Sequence, residues 1–358
     1  LCVHCWCTLL VCIAGVRPCD RCPAWPDNTG TYVPNWNWEM QSRCRRLRHS
    51  TCIDAMPPSP CAGVVAASLT PFAASGAVDH AALVDHLHWL RAHGCDGVLL
   101  FGTTGEGLSL SSDERLQALS AVLDAGIAPD RLLIGTGASA LPDVVHMTRH
   151  ATEAGVAGVL VVPPFHFRDI PSEGLFRFYD QLVQQVGSDA LRLYFYHYPE
   201  LSGVPIPFPV IQELHEAYGT QIAGIKDSSG EWDHTEALIR RFPDVRVFAG
   251  TERLLLPTLR AGGAGCISAT VNVTAPMAQR VYTAWRNGAS ADAPQQTLTE
   301  LRGAFVGLPT IAALKQLCGW RDETPMNASM RPPLVRLTAA ERNTLRDVAG
   351  RIQEAIAS

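Results

Sequence analysis

The sequence predicts an α/β chain folded as a (β/α)8 barrel, a TIM barrel, with a C-terminal helical extension. Two observations carry this expectation. From residue 63, short runs rich in Val, Ile and Leu alternate with longer amphipathic stretches, and eight such units fill about 220 residues. The turn after the first run is Thr70-Pro71-Phe72. A doubly wound sheet, the structural alternative, would place a Gly-rich dinucleotide turn there.

Taken in order, the strands are expected at 64–69, 97–101, 132–135, 158–162, 192–196, 222–226, 245–249 and 265–268. Helix-length segments lie between them, among them 79–93, 112–125 and 141–154. Asp79 and Ser112 suit helix N-caps, and Glu114 gives the second of these an acidic first turn. Gly94, Gly155 and Gly262 are placed to close helices. Beyond about residue 290 the strands stop, and 294–305, 310–318 and 338–357 read as helices of a tail. The organisation is therefore an extension at 1–60, a barrel at 61–290 and a helical region at 291–358.

Composition limits the function. The 358 residues are 47% hydrophobic and 18% charged, with a net charge of −5, which points to neither nucleic acid nor an anionic membrane as partner. No apolar run is long enough to span a bilayer, and a cytoplasmic location is expected. Nine of the twelve cysteines lie in the first 61 residues, so composition changes sharply near residue 60. A zinc module built on Cys2-x-x-Cys5 and Cys19-x-x-Cys22 lacks a second pair at finger spacing. A secretory signal would need a basic start before the apolar 8–16 run. The preferred reading is that the unstructured 1–60 extension includes a spurious stretch, 1–55, translated from a start placed too far upstream, with Met56 as the natural start.

Lys226 is the residue most suggestive of chemistry. It ends the apolar run Ile222-Ala223-Gly224-Ile225 and precedes the polar turn Asp227-Ser228-Ser229-Gly230. A strand delivering a lysine to the rim of a sheet desolvates its ammonium, which favours the nucleophilic amine and Schiff-base chemistry with a carbonyl. The bland alternative is a salt bridge with Asp227. Tyr196 ends the fifth strand, and Gly102-Thr103-Thr104-Gly105-Glu106-Gly107 follows the second. Backbone N–H groups and hydroxyls in such a turn can converge on a carboxylate. In a barrel all three fall at the C-terminal rim, where function sits.

These motifs resemble the dihydrodipicolinate synthase / N-acetylneuraminate lyase family of pyruvate-type class I aldolases. The resemblance rests on Ser68-Leu69-Thr70-Pro71-Phe72, the 102–106 turn, Tyr196-x-x-Pro199, Gly224-Ile225-Lys226-Asp227-Ser228-Ser229-Gly230 and Ala261-Gly262-x-x-Gly265-x-Ile267-Ser268. It implies that Lys226 forms the imine with a 2-keto acid, that Gly102, Thr103 and Thr104 form the turn binding its carboxylate, and that Thr103 and Tyr196 relay protons. It further implies that Gly250 and the Ile267 carbonyl shape the pocket, and that the enzyme is a homo-oligomer, commonly a tetramer. No cofactor or metal is expected, since the imine is itself the electron sink.

Three departures bear on the substrate. Leu201 stands where the family's synthases carry a carboxylate-binding arginine, and Phe165 stands where they often carry a tyrosine, leaving His166 for any polar role. After the seventh strand, Glu252 and Arg253 occupy the region that meets substrate hydroxyls in sugar-cleaving relatives. Arg253 there is either a ligand for a distal carboxylate or hydroxyl, or a salt-bridge partner of Glu252. The expected function is a Schiff-base lyase or aldolase acting on pyruvate and a sugar-acid-like 2-keto acid. The alternatives are 4-hydroxy-tetrahydrodipicolinate synthase and a non-catalytic keto-acid sensor.

Overall fold

The computed structural model describes residues 61–321 and 326–357, so the expectations for the 1–60 extension lie outside the described residues. Eight parallel strands close into a barrel in sequence order. They are β1 (Gly63–Ala67), β2 (Gly97–Leu100), β3 (Leu132–Gly135), β4 (Gly158–Val161), β5 (Leu193–His197), β6 (Ile222–Asp227), β7 (Arg246–Ala249) and β8 (Gly265–Ser268). The period-2 alternation of each strand divides its side chains between two apolar layers. Val65, Leu99, Leu133, Leu160, Tyr194, Phe248 and Ile267 pack inside the barrel. Val64, Val98, Ile134, Val159, Phe195 and Val247 face outward to the helices.

The helices of the barrel are α1 (His80–Ala92), α2 (Ser112–Asp124), α3 (Leu141–Glu153), α4 (Ser172–Val186), α5 (Pro199–Ser202), α6 (Phe208–Tyr218), α7 (Trp232–Arg241), α8 (Leu255–Arg260) and α9 (Val271–Arg286). Asp79 caps α1, its carboxylate accepting from the Ala82 amide at 3.0 Å. The cap of α2 is Ser111 rather than Ser112. Ser111 and Glu114 stand three residues apart and exchange side-chain-to-backbone hydrogen bonds, a reciprocal box that Ser112 cannot make with Glu114. Gly94, Gly155 and Gly262 follow helix ends at positive φ, as expected. The expected strand bounds shift slightly: β1 ends two residues earlier, at Ala67, and β5 and β6 each run one residue further.

The tail forms α10 (Asp292–Gly303), α11 (Thr310–Gly319) and α12 (Ala339–Ala357). It is bound to the β2 rim by charge. Lys315 of α11 and Glu106 of the β2 turn are both fully buried and form an ion pair at 2.5 Å. The Lys315 ammonium also donates to the Ser329 carbonyl at 2.8 Å and lies 4.1 Å from the centre of the Phe72 ring. Arg331 donates its backbone amide to Glu106 at 3.1 Å, and its guanidinium to the Gly76 and Ser109 carbonyls and to Glu114. Among the described residues no helix is long and apolar enough to cross a membrane.

Candidate active site

The turn after β2 is tightly constrained. Phe101 and Glu106 both hold left-handed backbone, with φ of 57° and 52°. Such values are uncommon for residues with a Cβ and concentrate at functional sites. Gly107 folds back so closely that a Cβ there would stand 1.9 Å from the Phe101 carbonyl oxygen, so only glycine fits. The Thr70 hydroxyl, from the loop after β1, donates to the Gly105 carbonyl at 2.7 Å and clamps the turn from beneath. Thr103 and Thr104 are thereby presented at the rim.

Strand register brings the other two groups together. Tyr196 of β5 is the direct partner of Lys226 of β6, and Lys226 is the partner of Phe248 of β7. Register partners point to the same face, here the barrel interior. Lys226 is 4% exposed, and its Nζ lies 4.3 Å from the centre of the Tyr196 ring. The Tyr196 phenol is 3.2 Å from the Thr103 hydroxyl, with either oxygen able to donate. An amine, a phenol and a hydroxyl therefore form one contiguous path. The salt bridge with Asp227 considered from sequence does not form. Asp227 is one step along the strand and faces the other way.

These groups open into a cavity of about 620 Å3, within the range of small-molecule sites. Thr103, Thr104, Tyr196, Lys226, Gly250 and Arg253 all line it. Gly102 does not. It carries the turn, accepting from the Gly107 amide at 3.0 Å. Nor does Ile267, which is packed inside the barrel with Tyr196 and Phe248. Glu252 is a correction: it is fully buried, and its carboxylate accepts hydrogen bonds from the Ser268, Thr270 and Thr274 hydroxyls. It ties the turn after β7 to β8 and α9 and makes no ion pair with Arg253. The one-residue step between them turns Glu252 inward while Arg253 stays exposed. Leu201, 51% exposed, and the 165–167 segment are not on the cavity either.

The sequence reading missed much of the lining. Tyr198 stands beside Tyr196, ring centres 5.9 Å apart. Burial first, then the neighbouring Tyr196 and Glu200, push the Tyr198 phenol up, while the Arg302 guanidinium opposes them. Gly250 donates its amide to the Asp227 carbonyl at 2.6 Å, and a Cβ there would stand 2.1 Å from the Ser228 hydroxyl. The outer wall comes from the tail: Arg302 in the last turn of α10, Val306 just after it, the first turn of α11, and Met330, Leu334 and Val335.

From sequence, no histidines and carboxylates of the barrel gather at ligand spacing, and here too the structure differs. His197, Asp227 and His234 converge, each offering a ligand atom within 4.8 Å of the others. Their geometry serves hydrogen bonding. One Asp227 oxygen accepts from His234 Nδ1 at 3.0 Å and Thr235 Oγ1 at 2.7 Å, the other from the Ser229 amide at 3.1 Å. His197 Nδ1 accepts from the Ile206 amide, and the His197 and His234 rings stack at 19°. Nearly parallel stacked rings do not aim their in-plane lone pairs at a common ion. Burial lowers His197 to about 4, so it is neutral. Burial would raise Asp227, but the hydrogen bonds from His234, Thr235 and Ser229 outweigh it and hold its carboxyl below the usual range. The cluster anchors the end of β6, one residue beyond Lys226, to α7.

Comparison with known proteins agrees with the barrel fold. The profile described as the dihydrodipicolinate synthetase family matches residues 60–352. An uncharacterized DapA-like lyase of Chloroflexus aurantiacus is 36% identical over 81% of this chain and 96% of its own length. A 4-hydroxy-tetrahydrodipicolinate synthase of a Synechococcus species is 33% identical over 84% and 98%. Among solved structures, dihydrodipicolinate synthase from Agrobacterium tumefaciens superposes with a TM-score of 0.72 at 31% identity, covering 82% of this chain and 99% of its own. YagE of E. coli K12, a prophage protein of the dihydrodipicolinic acid synthase family solved in complex with pyruvate, gives 0.74 at 26% identity, with 82% and 98% covered.

Proposed function

The chain belongs to the dihydrodipicolinate synthetase family and is a lyase, and from that premise we propose that it forms a Schiff base between Lys226 and a 2-keto acid, cleaving a sugar-acid-like 2-keto acid to pyruvate and an aldehyde or condensing these two to form it. The observation that carries the reading is the shared register of Tyr196 and Lys226, with Thr103 hydrogen-bonded to the phenol on the same cavity. The Lys226 amine attacks the C2 carbonyl, and loss of one water gives the protonated imine. The keto-acid carboxylate sits on the Thr103–Thr104 turn. In the cleavage direction a base takes the C4 hydroxyl proton and the C3–C4 electron pair moves into the imine. An aldehyde leaves and an enamine remains. Protonation at C3 and addition of water then release pyruvate and the free lysine. Tyr196, linked to Thr103, carries the protons.

The test is intact mass and peptide mapping after incubation with pyruvate and sodium borohydride. A reduced adduct on Lys226 is expected, and its absence in folded protein refutes the reading and favours a keto-acid sensor. The relatives named 4-hydroxy-tetrahydrodipicolinate synthase support a second reading, condensation of pyruvate with aspartate semialdehyde. Against it, Leu201 offers no guanidinium and is not on the cavity. Efficient condensation of aspartate semialdehyde by the wild-type protein would overturn the preference. A homo-oligomer, taken as a tetramer, belongs to the same proposal and is checked by sedimentation.

A further inference from the structure

The cavity is far larger than pyruvate needs, and its charges are unevenly paired. Lys226, Arg253 and Arg302 are its cations, and Glu200 is the one carboxylate among the described lining residues. Once the imine forms, the positive charge on Lys226 is balanced by the substrate's own carboxylate. Glu200 offsets one guanidinium at most. Among the described residues neither Arg253 nor Arg302 has an ion-pair partner. One positive charge is left facing the space beyond the reacting carbons.

Arg302 is the better placed of the two. It is half-buried at the end of α10, whereas Arg253 is exposed. It lines the same cavity as Tyr198, whose ring is tilted against that of Tyr196 with centres 5.9 Å apart. Lys226, Tyr196, Tyr198 and Arg302 thus all line one cavity. A guanidinium offers a planar fork suited to an oxyanion, and partial burial strengthens such a contact.

We infer that Arg302, supplied by the tail and assisted by Arg253, selects 2-keto acids whose far end carries a negative charge, a carboxylate or a phosphate. The inference rests on the Schiff-base reading above and names the substrate class of that same site.

The experiment compares kcat/KM for retro-aldol cleavage of three 2-keto-3-deoxy sugar acids alike at the keto end. One ends in a primary alcohol, one in a carboxylate and one in a phosphate. Wild type should favour at least one anionic-ended substrate by about 10- to 100-fold, the range of a charge-assisted hydrogen bond. Arg302→Gln should collapse that ratio towards one, and Arg302→Lys should restore part of it. A variant damaged in folding loses all three substrates together and does not change the ratio, so the wild-type preference stands as an independent measure. A wild-type ratio near one, or a preference for the neutral end, overturns the inference. So does a preference that Arg302→Gln leaves intact. Borohydride trapping of pyruvate on Lys226 separates the two levels. Trapping without selectivity defeats only this inference, while no trapping defeats the proposed function and this inference with it.

Discussion

Replacing Lys315 with methionine tests how the tail holds the catalytic rim. The side chains are similar in length, but the substitution leaves Glu106 fully buried without its cation. Among the described residues only the Arg331 amide, at 3.1 Å, would still donate to the Glu106 carboxylate. Removing one partner of a buried ion pair costs about 3–5 kcal/mol, because the remaining charge stays desolvated. That is a large share of a typical stability of roughly 5–15 kcal/mol. Urea unfolding followed by circular dichroism measures the loss directly. The companion variant Lys315→Met with Glu106→Gln strands no charge and should regain most of it. Glu106 lies two residues beyond Thr104, so the single variant should also raise KM for the keto acid by loosening the turn that presents Thr103 and Thr104. A single variant losing less than about 1 kcal/mol, or a double variant no more stable than the single, would refute the reasoning.

Three further outcomes are expected. Tyr196→Phe keeps the ring beneath Lys226 but removes the hydroxyl bonded to Thr103. Its kcat should fall about 10²- to 10⁴-fold, the range of general acid–base catalysis, with KM little changed, read by steady-state kinetics. The Arg331 hydrogen bond holds the Glu114 carboxyl down at about 2 in the folded protein, against about 4.5 when unfolded. A depressed carboxylate contributes stability that is full above the unfolded value and is lost as pH falls from about 4.5 towards 2. Glu114→Gln should flatten that acid limb in thermal melts taken across pH 2–6, and an unchanged limb would contradict the assignment. Asp227→Asn replaces one acceptor oxygen with a donor among the His234, Thr235 and Ser229 donors. It should cost about 1–3 kcal/mol in denaturant unfolding and slow imine formation at the neighbouring Lys226, followed by the rate of borohydride trapping.

The eight β-α units, the strands to within two residues at their ends, and the placing of Lys226, Tyr196 and Thr103 at one rim were legible in the sequence. Each depends on local period and on the rule that barrel strands deliver their last residues to one rim. By the same alternation the structure turns His197 and Asp227, one step beyond Tyr196 and Lys226, outward. Alternation did not supply their partner, because His234 comes from the next helix. The fate of Glu252 was also hidden: the hydroxyls that bind it belong to Ser268, Thr270 and Thr274, in a later strand and helix. The largest gap is the tail. Lys315 and Arg331 meet Glu106 across more than two hundred residues, and Arg302 reaches a cavity that Thr103 also lines. Sequence by itself determined what each strand carries to the rim, because that follows from backbone geometry repeated every two residues. Only the tertiary structure decided what closes the rim and which charges face the substrate, because those contacts arise from packing between segments that share no repeat.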